Sequence, residues 1–303
     1  MGHEETVYEA LDHAAGGEGH WAFGTGFDDP LLGVDTTVPD GIDPTDLGEY
    51  CLMLGDDALV LAQRLTEWIT AAPELEEEVA VANIALDLLG QARLLLARAG
   101  SVGVLGRSRR LATASIPDED ALAYFRDPDE FRCSPLVEAA NGDFGRTMVR
   151  LLLASSLRLA LFERLRDSRD PVLAAIAAKG VHELTYHRDH AARWVLRLGD
   201  GTEESSRRAQ DGADAVWPLL AQAFTPTEVE RRLTAAGVAV DPSTTREEVR
   251  AVLTHVLERA TLRMPGWPAD APPRGRMGEH GPDLTGILAG LQGLAREHPA
   301  ATW

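Results

Sequence analysis

Two stretches of helical periodicity, separated by a long aperiodic connection, constrain this chain more than any other feature. Leu47, Tyr50, Cys51, Leu54, Ala58, Leu61, Leu65, Trp68 and Ile69 recur at helical spacing. They predict a first helix over about 46–70, with Pro73 punctuating its end. A second helix is predicted over about 74–99, because ELEEE puts acid at the positive end of the helix macrodipole and Gly100 closes the run. Its apolar residues form two stripes: Leu75, Val79, Ala82, Leu86 and Leu89 on one side, Ile84, Leu88 and Leu95 on the other. A helix apolar on two sides is expected in the middle of a bundle.

About 40 residues of weak periodicity follow Gly100, long for a connection. A third helix is expected over about 143–167 and a fourth over about 171–198, opened by Pro171 and stopped by GDG. Two helix pairs with short internal turns and one long crossover have the connectivity of a ferritin-like four-helix bundle. The predicted fold is therefore all-α, with further C-terminal helices over about 203–224, 244–262 and 283–297. No βαβ pattern, phosphate-binding glycine loop or nucleophile elbow is present in the sequence.

The expected domain runs over about 46–303, after an irregular extension of about 45 residues rich in Gly, Asp and Pro. Within that extension Trp21, Phe23, Phe27, Leu31 and Leu32 suit either a segment laid along an apolar groove or a flexible tail. The chain has 303 residues, 45% of them hydrophobic, enough for a core without staples. Its 29 Lys and Arg against 48 Asp and Glu give a formal charge of −19, which repels nucleic acid and anionic membranes and favours basic partners. Cys51 and Cys133 show no metal-ligand spacing, no 18-residue apolar run is present and the N-terminus lacks an apolar leader. A soluble, reducing, cytoplasmic setting is expected.

The run HELTYHRDH, residues 182–190, is the candidate metal site. Taking Gly180 as the centre of the fourth helix's apolar stripe, His187 lies about 20° away, whereas Glu183 and His190 lie about 60° and 80° to one side. A di-iron bundle needs Glu-x-x-His pairs on two helices and a carboxylate on each of the other two. The frame ending at His187 would need its carboxylate at Leu184. Glu183 and His187 are an i, i+4 pair, equally able to be a hydrogen-bonded couple that satisfies a buried imidazole. The mid-helix stripe residues elsewhere are Ala58, Leu88, Gln91 and Ser155, none of them a carboxylate. Asp57 and Asp87 fall beside the stripes, as solvated or partner-facing residues.

The segments LGDDALVLAQRLTEWITAAPELEEEVAVANIALDLLGQARLLL, VEAANGDFGRTM, SRDPVLAAIAAKGVHELTYHRDHAARWVLRLGDGTEES and GRMGEHGPDLTGILAGLQ resemble the C subunits of bacterial ring-1,2-phenylacetyl-CoA epoxidases. The resemblance implies a place in a multicomponent monooxygenase of aerobic phenylacetate breakdown. A homologous A subunit holds di-iron and performs the epoxidation, and a reductase supplies electrons from NADPH through FAD and an iron–sulfur cluster. The C subunit is implied to share the ferritin-like fold without the metal and to pair with the A subunit, with no cofactor of its own. The family's ligand positions fall on Leu88 and Gln91, on Leu184 and His187, and near Ala58 and Ser155. His187 is the one apparent survivor.

The expectation is a catalytically silent structural subunit. Phe131, Arg132 and Ser134, in the crossover, are candidates to approach the CoA portion of phenylacetyl-CoA, since Arg suits phosphate; a loop-anchoring arginine is the competing reading. Two alternatives stand beside this: a metal-dependent oxidase built on Glu183, His187 and His190, and a standalone bundle that binds a hydrophobic ligand.

Overall fold

The computed structural model describes residues 31–105 and 116–301. The described residues form ten α-helices and no strand. The aromatic residues Trp21, Phe23 and Phe27 lie outside the described residues; Leu31 is buried against the core and Leu32 is exposed.

Helices α1 (Pro44–Thr66) and α2 (Leu75–Ser101) pack together as one pair, α5 (Phe144–Leu165) and α6 (Pro171–Gly199) as the other. Local chemistry explains where each begins. Asp43, Asp143 and Asp170 each accept a hydrogen bond from a backbone N–H of the first turn, and Pro44 and Pro171 supply preset backbone angles. Helix α2 has no side-chain cap; Glu76, Glu77 and Glu78 in its first turn offset the dipole instead.

The crossover is less irregular than the sequence suggests. It holds α3 (Asp118–Tyr124), a 3₁₀ turn at Pro128–Glu130, and the single-turn α4 (Pro135–Glu138) capped by Ser134. After α7 (Glu203–Val216) the expected helix over about 203–224 changes to a 3₁₀ run, Trp217–Gln222, because Pro218 removes an N–H donor. The segment between the next two expected helices contains α8 (Glu228–Ala235), opened by a capping box of Thr227 and Glu230. A 3₁₀ turn at Pro242–Thr245 leads into α9 (Arg246–Arg259), and α10 (Pro282–Glu297) is the last helix of the described residues.

Buried ion pairs tie these layers together. Asp170 caps α6 and also binds Arg98 of α2 at 2.5 Å. Arg126 of the crossover pairs with Asp56 of α1, and Arg276 near the C-terminus bonds Asp57 at 2.6 Å. Removing one partner of such a pair strands a charge in a dry interior, at a cost of about 3–5 kcal/mol.

The outer stripe of α2 differs from expectation. Leu75 is 71% exposed, Leu86 63% and Val79 54%. Helix α2 therefore does not sit in the middle of the bundle: only the stripe with Ile84, Leu88 and Leu95 is buried by this chain. By length and composition alone α2 could cross a membrane, but 44% of its most apolar window is packed inside the protein.

Candidate functional site

The six positions singled out from the sequence, Ala58, Leu88, Gln91, Ser155, Leu184 and His187, are all buried. They lie on the inward faces of α1, α2, α5 and α6. The Ser155 hydroxyl donates back to its own helix, to the Leu151 carbonyl at 2.6 Å. Leu88, Leu184 and Ala58 contribute only hydrocarbon. What fills the polar part of the centre is Arg158, which sequence reasoning missed. Its Nε donates to Gln91 Oε1 at 2.8 Å, its Nη1 to the Leu54 carbonyl at 3.0 Å, and its guanidinium lies 4.4 Å from the centroid of the Phe162 ring. A signal exists in the sequence: Arg158 follows Ser155 by three residues and so projects about 60° from it on the helix.

Gln91 completes the chain of contacts by donating to Glu183 Oε2 at 2.8 Å. Phe162 sits so close to α6 that a Cβ at Gly180 would meet its ring at 2.8 Å. Glycine at that point lets the aromatic ring shelve the arginine. Burial pushes the Arg158 pKa down to about 10, with the carboxylate of Asp57 opposing the shift. Arg158 therefore remains a cation near neutrality, a charge that repels a second cation in the same space.

His187 is fully buried, with one ring nitrogen engaged and the other idle. Its Nε2 lies 3.0 Å from Asp87 Oδ2, the orienting contact that fixes an imidazole tautomer, while its Nδ1 is buried with no hydrogen-bond partner. Burial lowers its pKa and the contact with Asp87 only partly offsets this. The expected pairing of Glu183 with His187 is not what forms: Glu183 serves Gln91 and lies 3.6 Å from Lys179. His190 turns toward Glu77 of α2, 3.3 Å away, and Trp194 donates its indole N–H to the same oxygen at 2.7 Å. Glu183, His187 and His190 thus face three different partners, because successive steps of three and four residues fan them around α6. Asp57 and Asp87 are not solvated bystanders; they bind Arg276 and His187.

The crossover residues are anchors. Phe131 is fully buried beneath the Arg126 guanidinium and offers no face to an outside ligand. Arg132 bonds Glu49 at 2.5 Å and the carbonyls of Asp129 and Phe131, although it also lines an open cleft with Met53, Pro226 and Met277. Ser134 caps α4, and its N–H donates to Asp57 at 2.7 Å.

A further cluster had no counterpart in the sequence reading. Cys133 and Glu138 of the crossover meet His280, far along the chain, with both nitrogens of that imidazole engaged.

Comparison with known proteins places the chain in a family. Residues 36–303 match the family described as phenylacetic acid catabolic protein. A curated relative, the C subunit of 1,2-phenylacetyl-CoA epoxidase from Escherichia coli strain K12, is 41% identical over 257 residues, covering 85% of this chain and 99% of that protein. With a match extending across the whole described bundle and its C-terminal helices, the chain belongs to the phenylacetic acid catabolic protein family.

Proposed function

We propose that this chain is the non-catalytic subunit of a phenylacetyl-CoA epoxidase, without a di-iron centre, pairing with and stabilising a homologous iron-bearing A subunit. The observation that carries the reading is Arg158, a buried cation that donates to Gln91 and acts electrostatically on His187, where a di-iron bundle would need several anionic oxygens. One imidazole with an idle Nδ1 and one amide already bonded on both sides make a donor set unsuited to two hard cations. Hydrocarbon at Leu88, Leu184 and Ala58 gives the bundle packing in place of metal–ligand bonds.

The outer stripe of α2 supports the pairing. Leu75, Val79, Leu86 and Leu89 form an apolar face that no part of the described chain covers, as expected of a helix that meets a partner bundle. Coexpression with the A subunit and sizing of the product tests the reading. Coelution of the two chains is expected, with epoxidation seen only when the A subunit is present. A chain that stays monomeric when mixed with the A subunit overturns the reading and favours a standalone bundle.

A further inference from the structure

The crossover and the loop before α10 meet at three side chains of metal-binding type. Cys133 Sγ lies 3.5 Å from Glu138 Oε1 and 4.0 Å from His280 Nδ1, and that nitrogen lies 2.6 Å from the same carboxylate oxygen. All three donor atoms lie within 4.0 Å of one another, and bonds of about 2.0–2.3 Å from one centre can span them once the 2.6 Å hydrogen bond opens to roughly 3.3 Å. On its far side the imidazole presents Nε2 to the Phe131 carbonyl at 2.9 Å. A backbone acceptor there holds the proton on Nε2, so that once Nδ1 gives up its own proton its lone pair faces the cluster, the outer support that metal-bound histidines have.

We propose that Cys133, Glu138 and His280 form a zinc site that clamps the C-terminal loop and α10 onto the crossover. One thiolate, one imidazole and one carboxylate suit Zn²⁺ in preference to harder cations, and three protein donors leave a fourth position for water. Charge conservation makes the exchange feasible in a buried place. Without metal, the Glu138 carboxylate balances a His280 imidazolium whose two N–H groups both have acceptors. On binding, the thiol proton and the Nδ1 proton leave, and Zn²⁺ with a thiolate, a carboxylate and a neutral imidazole has the same net charge. Burial, then the carboxylates of Glu138, Asp56 and Asp57, hold the Cys133 thiol protonated while the site is empty. Asp56 and Asp57 are neutralised by Arg126 and Arg276, so Glu138 is the carboxylate left to balance the ion. His280 lies between Gly278, whose backbone is left-handed at φ 82°, and Gly281, and its side chain is only 3% exposed, so an ion enters only when this loop opens.

The site is separate from the Arg158 centre and does not depend on the proposed pairing with an A subunit. The test is metal titration of the full-length, chelator-treated chain with Zn²⁺ and with Co²⁺ as a spectroscopic substitute. Expected are stoichiometric zinc retained through gel filtration, release of protons on binding, a raised melting temperature, and a thiolate-to-cobalt charge-transfer band. Cys133→Ser and His280→Gln should each weaken zinc binding by at least tenfold, and the Cys51→Ala control should keep the band. Zinc lost on filtration, a cobalt spectrum without the thiolate band, or full affinity in Cys133→Ser overturns the proposal and leaves an imidazolium–carboxylate bridge only. Should the substituted chains fail to fold, the cobalt band of the unaltered chain decides alone.

Discussion

Arg158 is held inside the bundle by two hydrogen bonds and the Phe162 ring, so its removal tests what these contacts contribute. Arg158→Ala strands Gln91 Oε1 and opens a void, for an expected loss of about 3 kcal/mol. Arg158→Met restores packing without the donors and should lose clearly less. Urea unfolding of both variants checks this; two near-neutral substitutions would show that the guanidinium is dispensable. His187 predicts a pH dependence of definite sign. Its folded pKa lies below the ordinary value of about 6.5, so below that pH the unfolded chain binds the extra proton more readily. Its contribution to stability is therefore intact above about pH 6.5 and is lost as pH falls toward the folded pKa. In urea midpoints measured between about pH 5 and 7.5, His187→Gln should show a shallower slope than the unaltered chain. Equal slopes contradict a buried neutral His187.

At the scale of the element, α2 does two jobs with two faces. Leu86→Glu and Leu89→Glu lie on the face that the chain leaves open, so each should change its own stability by no more than about 0.5 kcal/mol. Together they should abolish coelution with the A subunit; unchanged coelution would place the interface elsewhere. Asp170 shows the opposite case: it caps α6 and neutralises Arg98, so Asp170→Ala should cost about 3–5 kcal/mol by thermal or urea unfolding. Much of this level is legible in the sequence. Helical phase puts Ala58, Leu88, Ser155, Leu184 and His187 on inward faces, since spacing alone decides which residues share a side. Phase does not say whether an apolar stripe is covered by its own chain or by another, and so it misplaces the outer stripe of α2 in the interior. Pro218 and the Thr227–Glu230 box are signals in plain view that break and start helices, and each outweighs a run of helical periodicity. Arg158 escapes the sequence for a different reason: a charge on an apolar stripe ordinarily marks its edge, and only the structure reveals a guanidinium held inside by Gln91 and the Leu54 carbonyl.

At the scale of the whole molecule, long-range contacts join what the sequence keeps far apart. Glu138 and His280 are 142 residues apart, Arg276 and Asp57 219, and no local spacing announces either pair. The C-terminal helices close over the crossover through such contacts; Gln292 donates to the carbonyls of Ala123 and Arg126. The molecule that results is a ferritin-like helical bundle with an arginine and hydrocarbon on its inward faces. The most direct test is the iron content of the chain expressed alone in iron-replete medium and purified without chelator. The account predicts iron far below stoichiometric, and no uptake on anaerobic addition of Fe²⁺. Stoichiometric iron whose binding is lost in His187→Gln would contradict it and restore the oxidase reading.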